Sequence, residues 1–202
     1  NISNENKRLI EKTFPKGRTF DILSSQFVIH YLFGNQTSIN NLIDNIKTYL
    51  KKDGYILLTL FDAERVQKLF SGSNKITSYY TDDEGQRTIL YEIIKKYKGD
   101  LGNKLGQPID VHMSWINTED KYIEEYLVSR ELMTKTMKEA GCRLVDTDLF
   151  VNIYNINKPY FTQVIEYEEN PKNKQFYEKV AAFYGELKGA DKESLTWNNL
   201  YR

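Results

Sequence analysis

The sequence predicts an α/β fold built on a parallel sheet, and three observations carry that prediction. Residues 20–24 (FDILS) and 55–61 (YILLTLF) are apolar runs of strand length. Between them Ile39, Leu42, Ile43, Ile46 and Leu50 recur at helical spacing over 38–51. Asp53-Gly54 then separates the helix from the second strand. Strand, helix, glycine turn and strand make a βαβ unit. A right-handed crossover makes its strands parallel, so the loops at 25–33 and 62–64 open on one edge. Ligands in open α/β sheets bind at that carboxyl edge.

The elements follow in order. Residues 7–14 have room for one or two helical turns, closed by Pro15 and Gly17. Thr37 or Ser38 offers an N-cap for the first long helix, and Lys47, Lys51 and Lys52 suit its C-terminal dipole. The continuous run at 55–61 predicts a strand covered on both faces. Residues 63–70 read as a short helix and 71–74 as a turn. Residues 76–97, with Tyr79, Tyr80, Ile89, Tyr91 and Ile93, suggest an antiparallel ribbon broken at 82–85 (DDEG). Gly99, Gly102 and Gly106 mark a flexible connection before a strand at 109–115, and these pieces would form a flap over the sheet edge.

Helical spacing resumes over 124–140, with Leu127, Leu132, Met133 and Met137 inward and Gly141 at the end. Residues 142–145 and 150–153 are strand-like. Beyond 155 the pattern is mixed, with a polar loop at 169–174 and with Phe176, Val180 and Phe183 at helical spacing. The chain is read as one partial domain, 1–202, comprising a central βαβ unit (20–61), a flap or lid (71–120), a helix plus strands (121–154) and a C-terminal segment (155–202).

Composition narrows the function classes. Lys plus Arg equals Asp plus Glu at 28 each, so no global positive field drives binding to long nucleic acid, and RNA contact must be local. Two basic clusters, Lys7, Arg8, Lys12, Lys16 and Arg18, then Lys95, Lys96 and Lys98, read either as phosphate contacts or as solvated faces. Cys142 is the single cysteine, which excludes a disulfide framework and implies an intracellular compartment. His30 and His112 lie far apart, without HxxxH or CxxC spacing, so no zinc ligand set exists. No apolar run approaches the ~18 residues of a membrane span, and the polar start is not a signal peptide.

The densest candidate site is the exit of the first strand, where Gln26, Phe27, His30 and Tyr31 gather within FDILSSQFVIHYLF. Such residues suit a flat base, or else form core aromatics around a satisfied interior histidine. Phe20, Asp21, Gln26, Phe27, His30, Tyr31 and Phe33 resemble the FD-hydrophobic-x-x-QF-x-x-HY-x-F segment of mRNA cap (guanine-N7) methyltransferases of eukaryotes and large DNA viruses. A second stretch, GQPIDVHMSWIN followed by IEEYLVSRELM, is similar to that family's lid and its Glu-aromatic-Leu-Val step. The resemblance covers about residues 20–154 and is nearest to the C-terminal methyltransferase domain of viral capping enzymes.

The resemblance implies a Rossmann-like class I S-adenosylmethionine-dependent methyltransferase fold that transfers a methyl group from S-adenosylmethionine to N7 of the cap guanosine. Gln26, Phe27 and Val28 would line the cofactor. His30, Tyr31 and Glu125 would face the cap guanine, with Phe61 a wall of that pocket in place of a family proline. Glu125 reads otherwise as a helix-start carboxylate favoured by the dipole. No catalytic acid or base is expected, because N7 already has a lone pair. Implied partners are capped RNA and other domains of a larger capping enzyme or a stimulatory subunit, with no membrane. The setting would be a virion or host cytoplasmic factory if viral, and nuclear if cellular.

The eleven glycines never form GxG, so the glycine-rich loop and ribose carboxylate of that fold are missing from this sequence. The chain therefore reads as the C-terminal part of the fold, starting at its fourth strand. It also stops at SLTWNNLYR, before the expected last aromatic strand. Alone it is expected to be inactive and to bind cofactor weakly. Two alternatives stay open: a class I methyltransferase for another substrate, and a truncated non-catalytic homologue acting as a binding or stimulatory partner.

Overall fold

The computed structural model describes residues 8–9, 12–14, 17–70, 72–81, 85–118, 120–181 and 200–202. β1 (Phe20–Gln26) and β2 (Leu50–Thr59) pair in parallel, connected by a 3-10 helix (Ile29–Gly34) and α1 (Gln36–Tyr49). The expected βαβ unit is therefore present. α2 (Ala63–Leu69) leads into a four-stranded antiparallel sheet in sequence order: β3 (Lys75–Thr81), β4 (Arg87–Lys95), β5 (Pro108–Met113) and β6 (Ile123–Tyr126). α3 (Arg130–Glu139), α4 (Phe150–Tyr167) and α5 (Pro171–Ala181) follow.

Each sheet has its own core. α1 turns Ile39, Ile43 and Ile46 toward Leu23, Ile56 and Leu58, and α3 adds Leu132 and Met137 to the same cluster. Each such side chain contributes roughly 1.5–3 kcal/mol when fully buried. Under the antiparallel sheet, Tyr91, Ile93, Ile109, Val111 and Met113 meet Val66 from α2 and Phe70 just past its end, together with Leu200 and Tyr201. The chain crosses from one core to the other between Leu127 and Val128, immediately after β6.

Several expectations are corrected. The N-cap of α1 is Asn35, whose side chain accepts from Ser38 N, rather than Thr37 or Ser38. α1 ends at Tyr49, so Lys51 and Lys52 lie on β2, where Lys51 pairs with Asp21 at 2.7 Å in the open. Asp53-Gly54 does not stop the helix but makes a bulge: Phe20 faces Leu50, yet Ile22 faces Tyr55. Asp53 takes a left-handed φ of 62°. Gly54 is required by space, since a Cβ there would stand 2.8 Å from the Asp21 carbonyl oxygen.

β2 is covered on one face only. Ile22, Tyr55 and Leu57 are more than half exposed, because α1 and α3 pack on the opposite side and, among the described residues, nothing covers theirs.

The largest correction concerns 124–140. Its first part is β6, and α3 begins only after Ser129, whose hydroxyl accepts from Leu132 N. Leu127 fitted the helical spacing, but it is buried in the antiparallel core instead. Residues 142–149 form no regular element, and Leu144 and Val145 stay exposed. Residues 150–153 open α4 rather than a strand, because Phe150, Ile153 and Tyr154 also fit a three-and-four spacing that a short run cannot separate from alternation. Part of the polar loop at 169–174 is α5, which starts at Pro171, a residue suited to a first helical turn.

The C-terminal residues also reach the sheet. Phe61 and Tyr201 form an antiparallel bridge, with Leu60 N donating to Arg202 O at 3.0 Å and Arg202 N to Leu60 O at 2.9 Å. The helical turns expected at 7–14, the turn at 82–85 and Phe183 lie wholly or partly outside the described residues.

Gly54→Ala should destabilise the protein by about 1–3 kcal/mol, as overpacking against a backbone atom does. Asn35→Ala should cost about 0.5–2 kcal/mol through the lost cap. Chemical denaturation checks both, and a Gly54→Ala midpoint equal to the parent's would mean that the bulge has slack.

Candidate functional site

The carboxyl end of β1 turns sharply. Phe27 adopts a left-handed φ of 56°, and its N–H donates to both the carbonyl oxygen and the hydroxyl of Thr59, at 3.0 and 2.9 Å. A bulky residue in that region costs about 1–3 kcal/mol, and such strain gathers at functional sites. The turn leaves Gln26, Phe27 and Val28 exposed, with the Gln26 amide donating to Ser24 Oγ at 3.0 Å and Leu57 O at 3.5 Å. The chain then enters the 3-10 helix, which buries Ile29 and Phe33 as anchors and carries His30 and Tyr31 between them.

Glu125 reaches these two side chains from β6, where it sits opposite Ile109. Its carboxylate is buried, with Oε1 accepting from Tyr31 Oη at 3.0 Å and Oε2 standing 3.2 Å from His30 Nε2. The His30 contact is close but not aligned as a hydrogen bond, so among the described residues Oε2 and both imidazole nitrogens have no hydrogen-bond partner. An unsatisfied buried acceptor costs roughly 1–3 kcal/mol. The His30 and Tyr31 rings are 4.3 Å apart and tilted by 53°.

Burial sets the protonation states. It pushes Glu125 up to about 7 despite the opposing Tyr31 hydrogen bond, and pulls His30 down to about 4. Tyr31 is raised by burial and by the neighbouring carboxylate. Near neutral pH the imidazole is uncharged and the carboxyl is close to its midpoint.

Tyr201 joins this cluster, a residue that the sequence did not single out. Burial first, then the proximity of Glu125 and Tyr31, raises its hydroxyl strongly. Its ring stacks on Phe61 at 4.5 Å and meets Phe27 edge-on at 5.1 Å. Phe61 is itself buried, so it supports Tyr201 from behind and presents little open surface. The bridge to Phe61 and the Leu60–Arg202 backbone bonds hold Tyr201 in place, as do Arg202 Nε donating to Asp62 at 3.0 Å and its terminal nitrogen donating to Thr147 at 3.1 Å. No periodicity near Tyr201 distinguishes it from the other tyrosines.

The structure thus brings His30, Tyr31 and Glu125 together and places Phe61 one ring away, through Tyr201. Gln26, Phe27 and Val28 form a neighbouring exposed group. Glu125 is a buried strand residue and not the exposed helix-start carboxylate. A separate cavity of about 580 Å³ runs along β2, lined by Leu58, Phe61, Asp62, Met133 and Leu144 among others, and contains none of His30, Tyr31 or Glu125. Two of the three lysines of the second basic cluster are engaged locally: Lys95 lies over the Tyr97 ring and Lys96 pairs with Asp110 at 2.9 Å. Among the described residues no group of side chains could hold a metal ion, and no helix is long and apolar enough to cross a membrane.

Comparison with known proteins gives consistent likenesses. The chain is 38% identical over 186 residues to a probable mRNA-capping enzyme of Acanthamoeba polyphaga mimivirus, covering 91% of this chain and 16% of that protein. It is 28% identical over 137 residues to an mRNA-capping enzyme of African swine fever virus, covering 68% of this chain and 15% of that protein. A solved S-adenosylmethionine-dependent methyltransferase from Clostridium acetobutylicum aligns with 72% of this chain and 63% of its own, at 15% identity and a TM-score of 0.38. The chain spans about one sixth of the length of the two capping enzymes. Residues 3–180 match the family model of the mRNA (guanine-N(7))-methyltransferase domain, and the chain belongs to that family.

Proposed function

We propose that this chain recognises the guanine of an mRNA cap and takes part in its N7 methylation, with Glu125 as the base-reading residue. One observation carries the reading: Glu125 is buried beside a neutral imidazole, and among the described residues its Oε2 has no hydrogen-bond donor. Guanine presents two adjacent donors, N1–H and the exocyclic amino group, which a carboxylate can accept together. Adenine presents no such pair. The ligand would therefore satisfy an acceptor that the described residues leave unmet.

The roles follow from placement. Tyr31, partly exposed and donating to Glu125, fixes the carboxylate and offers a ring edge to the base. His30, kept neutral by burial, adds a polar face without a positive charge. Tyr201, backed by Phe61 and itself buried, forms the inner wall behind the base. Gln26, Phe27 and Val28 combine an amide with exposed apolar surface at the carboxyl edge, which fits one side of S-adenosylmethionine. That cofactor, when bound, supplies an electrophilic methyl group to the lone pair of guanine N7. These side chains position the base and withdraw no proton. Their contribution is alignment, which can be worth on the order of 7–11 kcal/mol for well-oriented reactants.

The two viral relatives are named as capping enzymes and are several times longer than the matched region. We infer that capped RNA is the substrate and that further domains of such an enzyme, or a stimulatory subunit, are partners, in an intracellular viral setting. The family's activity in the full-length protein carrying this chain is the direct test, with capped RNA and radiolabelled cofactor.

Two substitutions in that protein separate recognition from mere burial. Glu125→Ala should weaken cap-analogue binding by about 1.5–3 kcal/mol, the worth of a charge-assisted bond, while cofactor affinity stays unchanged. Glu125→Gln should be nearly as damaging, because its amide turns a donor toward the base's donors. A Gln variant that methylates at the parent rate would remove Glu125 from the site. His30→Ala should lower turnover through looser positioning of the base, read as kcat in the same assay.

The pH dependence has a definite sign. Glu125 is held near 7, and the carboxylate is the form that binds guanine, so cap affinity should rise with pH up to about 7 and level off above it. The slope below 7 approaches about tenfold per pH unit, one pKa unit being 1.36 kcal/mol. Stability behaves differently. The raised Glu125 loses stability as pH rises from 4.5 through about 7, whereas the depressed His30 loses it as pH falls from 6.5 through about 4. Between 4.5 and 6.5 the two slopes cancel, since folding moves one proton from the imidazole to the carboxyl. Glu125→Gln should unmask the His30 slope, giving stability that climbs with pH across that window in denaturant titrations.

A further inference from the structure

His30 and Tyr31 stand on the 3-10 helix that leaves the parallel sheet, whereas Glu125 stands on the antiparallel sheet, so something must set the distance between the two. The 3-10 helix ends at Gly34, and there the backbone lies directly on the Tyr126 ring. A Cβ at position 34 would be 2.7 Å from Tyr126 Cζ, 2.9 Å from Cε2 and 3.0 Å from the hydroxyl oxygen. The φ of Gly34 lies outside the left-handed region, so a side chain there would disturb the close approach to the Tyr126 ring rather than the backbone. Tyr126 follows Glu125 directly in β6, and its hydroxyl donates to Glu124 at 2.7 Å, which holds the ring tip in place.

The loop 102–107, expected to be a flexible connection, acts as a strap on the same junction. The fully buried Gln107 side chain closes the loop on Gly102, donating to its carbonyl oxygen and accepting from its N–H, each at 2.7 Å. Gly106 N then donates to Phe33 O at 3.0 Å, and Leu127 N donates to Gln107 O at 2.9 Å. The strap therefore grips the residue before Gly34 on one side and the residue after Tyr126 on the other.

We propose that Gly34 is a positioning residue for base recognition: its contact with the Tyr126 ring, clamped by the 102–107 strap, sets the separation of Glu125 from His30 and Tyr31. The inference rests on the reading of Glu125 as the guanine acceptor. Gly34 touches no base and acts only through the spacing. A side chain at 34 pushes the 3-10 helix away from β6, and a displacement near 1 Å in a positioned site can cost on the order of a hundredfold.

The test compares Gly34→Ala, Tyr126→Leu and the double variant with the full-length parent, reading cap-analogue affinity, cofactor affinity, melting temperature and the preference for a guanosine over an inosine cap. Inosine lacks the exocyclic amino group and so reports on Glu125 alignment. Gly34→Ala should weaken guanosine-cap binding by about tenfold or more and shrink the guanosine preference, with cofactor affinity unchanged. The double variant should recover only to the level of Tyr126→Leu alone, because the new methyl group then has room but the spacer is gone. Tyr126→Leu alone, which introduces no clash, should also blunt the guanosine preference by removing the spacer, and it keeps the test decisive if Gly34→Ala does not fold. A Gly34→Ala protein with parental preference would show that the ring swings aside, and equal losses in cap binding, cofactor binding and melting temperature would make the contact merely structural. Either result overturns the proposal. If Glu125→Gln also leaves the guanosine preference intact, the guanine reading itself fails. If only the Gly34 and Tyr126 variants are silent, that reading stands and the spacing role falls.

Discussion

A carboxylate buried, among the described residues, without a cation is the constraint around which this chain is arranged. Glu125 lies where the chain passes from the antiparallel core at Leu127 to the helical core at Val128, so both cores hold its backbone rigidly. Its charge is disfavoured by burial, and the nearest partners are a phenol and an uncharged imidazole. Such a group persists only where the surroundings fix it, since a mobile loop would let it turn to water. Placement on a paired strand, opposite Ile109, provides that restraint.

The opposite wall is built from strain and stitching. The left-handed Phe27 is held by two bonds to Thr59, which lets the chain leave β1 abruptly and bring His30 and Tyr31 under the second sheet. On the far side, Asp62 both caps α2 through Arg65 N and accepts from Arg202, tying the start of that helix to the C-terminal residues that carry Tyr201. Three sequence-distant segments around residues 30, 125 and 201 converge because each is anchored in a core next to the site. The convergence does not depend on contacts within the site itself.

The legibility of the sequence tracks how local the determining physics is. α1 was readable because Ile39, Ile43 and Ile46 repeat every three or four residues, and the parallel pairing followed from chirality. The capping residue was misplaced because Asn35, Thr37 and Ser38 are all competent and only the backbone entry angle decides among them. β6 was hidden because Leu127 continues the spacing of Leu132 and Met137 while belonging to a different core. The motif around Glu125 carried its identity but not its environment, since burial comes from pairing with β5 and from the 3-10 helix more than ninety residues away. Tyr201 depends on an antiparallel bridge to Phe61, a long-range pairing with no local signature.

On the proposed reading, the neutrality of His30 matters beyond recognition. Methylation at N7 places a positive charge on the base, and a protonated imidazole beside it would oppose that charge in surroundings of low polarity, where such interactions are strongest. Burial removes the opposition by holding His30 near 4, and the same burial raises Glu125 only as far as about 7, within reach of ionisation when guanine's donors arrive. A single physical cause, exclusion of water from the junction of two sheets, thus silences a neighbouring imidazole that would otherwise repel the product charge. It also leaves its neighbour free to become the anion that stabilises that charge.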